Sequence, residues 1–145
     1  MKIVVQRVKE ASVKVDNKLI AKIGKGFLVL VGFTHIDGID DIKYIVKKLK
    51  NLRIFDDENG NMNLNINDVG GSILSVSQFT LYADTKNGNR PSFVDSMKYD
   101  EAEKLYNLFN EELKSTNVPI STGIFGADMK VSLLNDGPVT IIIER

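Results

Sequence analysis

Only two stretches of this 145-residue chain repeat apolar residues at helical spacing, which limits the helices available to any fold to two. Ile42, Ile45, Val46, Leu49 and Leu52 share one face of a helix predicted from Asp37 to about Lys50, and Lys43, Lys47 and Lys50 fall on another. Asp37, Asp40 and Asp41 suit the positive end of that helix's dipole, and the lysines suit its far end. The lysine face reads as a solvated surface, with a weak phosphate contact as the sharper alternative. A second helix is predicted from about Asp100 to Lys114, burying Ala102, Leu105, Tyr106, Phe109 and Leu113.

The remainder has the length and composition of short strands. Lys2 to Val8 is rich in Val and Ile, as in a strand buried on both faces. Ser12 to Val15 alternates polar and apolar, and Asp16-Asn17 makes a two-residue turn into Lys18 to Ala21. Gly24 and Gly26 bracket another turn, and Phe27 to Phe33 is a continuous apolar run of strand length. Asp56 to Asp68 reads as a polar loop or short hairpin turning at Asn59-Gly60. Gly71 to Val76 is a further strand, and Asp84 to Asn89 a further loop. Met129 to Leu134 and Val139 to Ile143 are predicted to form a closing hairpin joined at Asp136-Gly137. Many strands with two helices give an α+β domain with a barrel-like core and the helices packed on the sheet. The length and the 43% hydrophobic content suit one domain over residues 1–145.

Composition narrows the chemistry. With no Cys, disulfide scaffolds, thiolate metal sites and cysteine nucleophiles are excluded, and a reducing compartment is compatible. No stretch reads as a signal peptide or a membrane span. Nineteen basic residues balance nineteen acidic ones, which argues against a broad electrostatic grip on nucleic acid but not against holding the end of an RNA. The one histidine, His35, lies between a strand and a helix start with no motif around it. Metal hydrolysis and a Ser-His-acid triad therefore lack their parts, and no cofactor is expected. What remains is a site of hydroxyls, amides and backbone groups.

Two segments supply such groups. Ser77-Gln78-Phe79-Thr80-Leu81 offers two hydroxyls, an amide and a turn able to expose backbone N–H groups, the donors an ester oxyanion needs. The bland alternative is a strand end whose polar groups satisfy local backbone. In Asn135-Asp136-Gly137-Pro138-Val139-Thr140, the Gly-Pro pair can present a rigid surface free of side chains.

Together the segments resemble the D-aminoacyl-tRNA deacylase family, whose signatures S-Q-F-T-L and N-x-G-P-x-T both stand here without substitution. The opening Met1 to Val8, Arg90-Pro91-Ser92-Phe93 and Thr122 to Met129 resemble that family as well, so the likeness runs the length of the chain. The resemblance implies a barrel-like homodimer that cleaves the ester of D-aminoacyl-tRNA in the cytoplasm, with the acceptor end of tRNA as partner and neither membrane nor DNA involved. It implies a catalytic segment of Ser77, Gln78, Phe79 and Thr80. It makes Gly137 and Pro138, joined by a cis bond, a gate against L-amino acids. It has Arg7 holding the gate, and Phe125 and Met129 lining the pocket for the terminal adenosine. Glycyl-tRNA is an expected further substrate, because glycine has no side chain to reject. Thr80 as nucleophile and water assisted by the ribose hydroxyl are the two mechanisms open, and the lack of a base beside Thr80 favours the second. The rival reading is a catalytically silent homodimer that binds tRNA ends or nucleotides.

Overall fold

The structure is a computed structural model that describes residues 1–145. Its elements run β1 (Lys2–Val15), β2 (Lys18–Ile23), β3 (Gly26–Gly32), α1 (Ile39–Asn51), β4 (Phe55–Asp56), β5 (Met62–Leu64), β6 (Ser72–Ser77), α2 (Tyr99–Lys114), β7 (Ile120–Thr122) and β8 (Lys130–Glu144). A single turn of 3-10 helix, Phe79–Tyr82, follows β6.

The long strand β1 organises the sheet. Its first half pairs antiparallel with β3 and its second half with β2, while β8 runs antiparallel beside both halves. β3 then pairs parallel with β6, and β6 parallel with β7. The β1–β2 turn has Asp16 and Asn17 at φ 48° and 62°, the left-handed pair that a two-residue hairpin matched to strand twist demands.

The strands curl into a nearly closed barrel-like sheet that carries both helices. Phe27, Val29, Val31 and Ile73 face Ile42, Ile45 and Leu49 of α1 and Tyr106, Phe109 and Leu113 of α2 in one large cluster. Leu28, Leu74 and Val76, on the other face of the same strands, meet Val8, Ala11, Val13 and Ile23 inside the curl. β3 and β6 are thus buried on both sides, which explains why β3 is a continuous apolar run. Each fully buried aliphatic chain here contributes about 1.5–3 kcal/mol.

α1 starts at Ile39 rather than Asp37 because the Asp37 carboxylate is committed elsewhere. It accepts the Thr34 N–H at 2.7 Å and holds the buried Met1 ammonium, and Asp41 accepts the Gly38 N–H at 2.9 Å. Lys43, Lys47 and Lys50 are exposed. The Asn-rich segment folds into the small β4–β5 hairpin around Asp57. Asn61 N–H, the Asn63 side chain and Asn59 N–H all bond to its carboxylate, which holds the Asp57 pKa below its ordinary value.

The closing hairpin is corrected. Residues 130–144 form one strand that continues past Gly137-Pro138 instead of reversing there. β1 is long enough to template both halves, so the segment has no need to pair with itself. Gln6 faces Thr140 and Val8 faces Asn135, so two steps along β1 span five along β8. The surplus stands out as a knuckle containing Asp136, Gly137 and Pro138. A compensating shift between Val8 and Glu10 leaves a net slip of two residues, an even number, and so keeps each side chain on its face. No helix is long and apolar enough to cross a membrane.

Candidate active site

A pocket of about 480 Å³ opens where the parallel strands β3 and β6 end. Such strand ends are where ligands bind in parallel sheets, because the chain departs from the ladder there and leaves a crevice. Ser77, Gln78 and Phe79 form one wall; Tyr99 and Ala102 of α2 and the loop from Phe125 to Met129 form the other. Ten of the fifteen lining residues are hydrophobic, so a ligand's polar groups must find their partners on the few remaining positions.

The polar groups on the β6 side are sharply placed. Gln78 N–H donates to Val31 O at 2.7 Å, which ties the turn to the end of β3. The 3-10 turn then begins, and its first internal bond runs from Leu81 N–H to Gln78 O. The N–H groups of Phe79 and Thr80 precede that bond and have no acceptor within the chain. Two adjacent backbone donors are therefore free beside the pocket, as the first N–H groups of a helical turn must be unless something caps them. The Ser96 hydroxyl donates to Phe79 O at 3.0 Å, and Phe93 packs edge-on against Phe79 with centroids 5.0 Å apart. These contacts fix the turn from behind, while Phe79 itself stays 57% exposed.

Thr80 is exposed and lies outside the pocket lining. Its hydroxyl accepts a hydrogen bond from the Gln78 side-chain amide, and no histidine or carboxylate contacts it. His35 is committed to Val94 O at 2.7 Å, away from the pocket lining. The sole carboxylate in the lining, Asp128, is paired with Lys130 at 2.9 Å. No group of three or more His, Cys, Asp or Glu side chains is placed to hold a metal.

On the opposite wall, Phe125 is wedged between Tyr99 and Tyr106, with centroids 5.0 Å and 5.6 Å away. The Tyr106 hydroxyl donates to Ser75 O at 2.9 Å. Burial pushes its pKa up, so it remains a neutral donor. Met129 lies over Gly123, and Gly123 N–H donates to Ser75 O at 2.9 Å. Both walls of the pocket thus refer back to β6.

Gly137, Pro138 and Arg7 form a second constellation, and none of them lines the pocket. Arg7 is 5% exposed. Its Nε donates to Asp136 O at 3.1 Å and its Nη1 to Ile54 O at 2.6 Å, with Asp56 Oδ1 at 3.4 Å. Asn135 closes the knuckle by donating from one side-chain nitrogen to Arg7 O at 3.2 Å and Val139 O at 3.0 Å. Gly137 has φ 125°, and a Cβ there would lie 2.8 Å from Val139 Cγ2 and 3.1 Å from Arg7 Nη2, so no other residue fits without a shift. The Gly137–Pro138 bond is cis, and both residues are exposed. Arg7 faces Phe27 at the start of β3, whereas the pocket opens at Val31 to Phe33. Strand rise alone separates the two levels by on the order of 15 Å.

One chain therefore gathers Ser77, Gln78 and Phe79 with Phe125 and Met129, sets Thr80 just beyond them, and gathers Arg7 with Gly137 and Pro138 elsewhere. Sequence reasoning gave no role to Asn135, whose clamp is visible only once β8 is known to run through the knuckle. It also missed Tyr99, which at a helix start carries no periodic signal.

Comparison with known proteins gives a consistent result. The family model for D-Tyr-tRNA(Tyr) deacylase matches residues 4–144. Two curated proteins called D-aminoacyl-tRNA deacylase, from two strains of Limosilactobacillus reuteri, are each 54% identical to this chain over 100% of both chains. A solved structure described as c-Myc DNA Unwinding Element Binding Protein superposes with a TM-score of 0.95 at 44% identity, covering 100% of this chain and 99% of the other. Another, described as a probable eukaryotic D-amino acid tRNA deacylase, has a TM-score of 0.84 at 17% identity, covering 98% of this chain and 97% of that one, a likeness of fold.

Proposed function

This chain belongs to the D-Tyr-tRNA(Tyr) deacylase family, and from that premise we propose how its two constellations divide the work of a deacylase. It is a hydrolase of the ester bond in D-aminoacyl-tRNA. The observation that carries the mechanism is the pair of free N–H groups on Phe79 and Thr80 beside an apolar pocket. They receive the carbonyl oxygen of the ester as it becomes an oxyanion, which is where fixed donors contribute most to rate. Water adds to the carbonyl carbon, the bond to the ribose oxygen breaks, and that oxygen takes up the proton. The vicinal ribose hydroxyl orients the water, since no side-chain base stands at Thr80. Phe125 and Met129 line the seat of the terminal adenosine.

The knuckle is the chirality gate. Gly137 and Pro138 offer only backbone, braced by Arg7 and Asn135, and such a surface rejects an L side chain by occupying its space. A D side chain projects away, and glycine has nothing to reject, so glycyl-tRNA is also a substrate. Within one chain the gate and the pocket are apart, so the gate serves the pocket of a second copy. In support, β8 pairs only with β1 and leaves Leu134 and Ile142 53% and 62% exposed along its length. The chain's balanced charge argues that the acceptor end of tRNA is the partner rather than a long stretch of RNA or DNA.

The test is deacylation of matched D- and L-tyrosyl-tRNA, with and without a strong chelator, and of a tRNA lacking the neighbouring ribose hydroxyl. Turnover of the D ester, unchanged by chelator and sharply reduced on the deoxy substrate, is expected. Comparable cleavage of the L ester would remove the gate, and binding without turnover would leave a silent tRNA-end binder. Mixing a knuckle variant with a pocket variant should restore activity if the two sites meet across a dimer.

A further inference from the structure

We propose that Tyr99 is a substrate-positioning residue, the outer stacking wall for the nucleobase at the tRNA end; the inference rests on the deacylase reading above. Three observations point to it. Tyr99 lines the pocket although it belongs to the first turn of α2. Its ring lies over Gly126, which has φ 72°: a Cβ at that position would be 2.4 Å from the Tyr99 hydroxyl oxygen and 2.6 Å from Cε2, so the bare glycine is what admits the ring. Its inner side is braced by Phe125 at 5.0 Å and 71° between planes, and Phe125 by Tyr106, which is anchored on Ser75, two residues before Ser77.

Despite this bracing, Tyr99 remains 57% exposed. A helix-start aromatic that served only the core would be covered, as Tyr106 is at 2% exposure. An aromatic ring held on one side and open on the other is what an unpaired base stacks on, since every base presents a π-face. The ligand class is a purine or pyrimidine nucleoside end with a free base. Because Tyr99 is on the wall opposite the free N–H groups of Phe79 and Thr80, it governs how firmly the RNA end is held rather than the chemical step.

The experiment compares wild type, Tyr99→Leu, Tyr99→Phe and Tyr99→His in steady-state deacylation of D-tyrosyl-tRNA, and separately in equilibrium binding of adenosine 5′-monophosphate. Tyr99→Leu keeps apolar bulk but loses the ring. It should raise KM about tenfold, equivalent to about 1.4 kcal/mol, with kcat within about twofold, and weaken nucleotide binding in parallel. Tyr99→Phe should stay within about twofold of wild type, and Tyr99→His should lie between the two. Thermal melting checks that each variant is folded, and the two ring-bearing variants decide the matter if Tyr99→Leu is not. Unchanged KM and nucleotide affinity in Tyr99→Leu, a fall in kcat alone, or failure of Tyr99→Phe to retain affinity would each overturn the proposal. Failure of the deacylase reading looks different: wild type would bind the nucleotide and turn nothing over.

Discussion

The pocket and the knuckle solve opposite problems with the same sheet. The pocket is concave, largely apolar and built from four separate stretches, the end of β3, the end of β6, the start of α2 and the loop into β8, with free backbone donors beside one wall. The knuckle is convex and nearly free of side chains at its tip, and its rigidity comes from one buried arginine and one asparagine beneath it. The pocket's key members, Phe79 and Tyr99, are each 57% exposed, so they are free to meet a ligand and add little to folding. Arg7, at 5% exposure, is part of the fold itself. The exposed side chains of the pocket and the braced backbone of the knuckle thus have different costs when disturbed.

The sharpest break in that comparison is Arg7→Ala. It strands Asp136 O and Ile54 O without their donor and leaves Asp56 without its cation. A buried acceptor stripped of its donor costs about 1–3 kcal/mol, and the half-exposed Asp56 pair adds little, so the denaturant midpoint should drop clearly and D-ester turnover with it. Arg7→Lys should not rescue, because an ammonium cannot serve both carbonyls in the fork geometry of a guanidinium. Phe79→Ala, by contrast, should leave the midpoint nearly unmoved while lowering activity. Equal stability losses for the two would erase the distinction.

Gly137→Ala comes next. The added Cβ meets Val139 and Arg7 at a φ of 125°, where L side chains are strained by about 1–3 kcal/mol. The knuckle should move, and if it is the proposed gate the ratio of D- to L-ester cleavage should fall, while AMP binding in the pocket is unaffected. A variant with unchanged D/L selectivity would show that discrimination lies in the pocket after all.

The two constellations differed in how legible they were. The helices announced themselves through apolar spacing, and the doubly buried β3 through its unbroken run from Phe27. The Ser77 to Leu81 turn and Gly137-Pro138 were recognisable as motifs, yet their separation was not, because it depends on β8 pairing with β1 across more than a hundred intervening residues. Local turn chemistry favoured a hairpin at Gly137-Pro138. The long template of β1 overrode it, and Arg7 fills the space behind the bulge that results. The strand Ile120–Thr122 is too short to show a period at all.

Thr80→Ala separates the pocket's backbone from its hydroxyls. The side chain is exposed, and its hydrogen bond is with Gln78, so removal should leave the turn and its N–H donors in place. Turnover should remain within about tenfold of wild type, equivalent to about 1.4 kcal/mol. A loss of several kcal/mol with a trapped acyl-enzyme at Thr80 would make it a nucleophile instead.

The smallest effect should appear at acid pH, and on the knuckle's side of the molecule. Asp57 organises the β4–β5 hairpin, and its neighbour Asp56 is the carboxylate facing Arg7. Hydrogen bonds from Asn61 N–H, the Asn63 side chain and Asn59 N–H hold the Asp57 pKa below its ordinary 3.8. A depressed folded-state pKa means that this carboxylate's support is fully present above 3.8 and is lost as pH falls through the lower folded value. Amide exchange at Asn59 and Asn61 should therefore quicken on acidification below that range. Protection of Gly123, whose N–H is tied to Ser75 beside the pocket, should hold. Asp57→Asn should abolish the pH dependence at the hairpin. Simultaneous loosening of both regions in the same pH window would mean that pocket and knuckle rest on one cooperative unit.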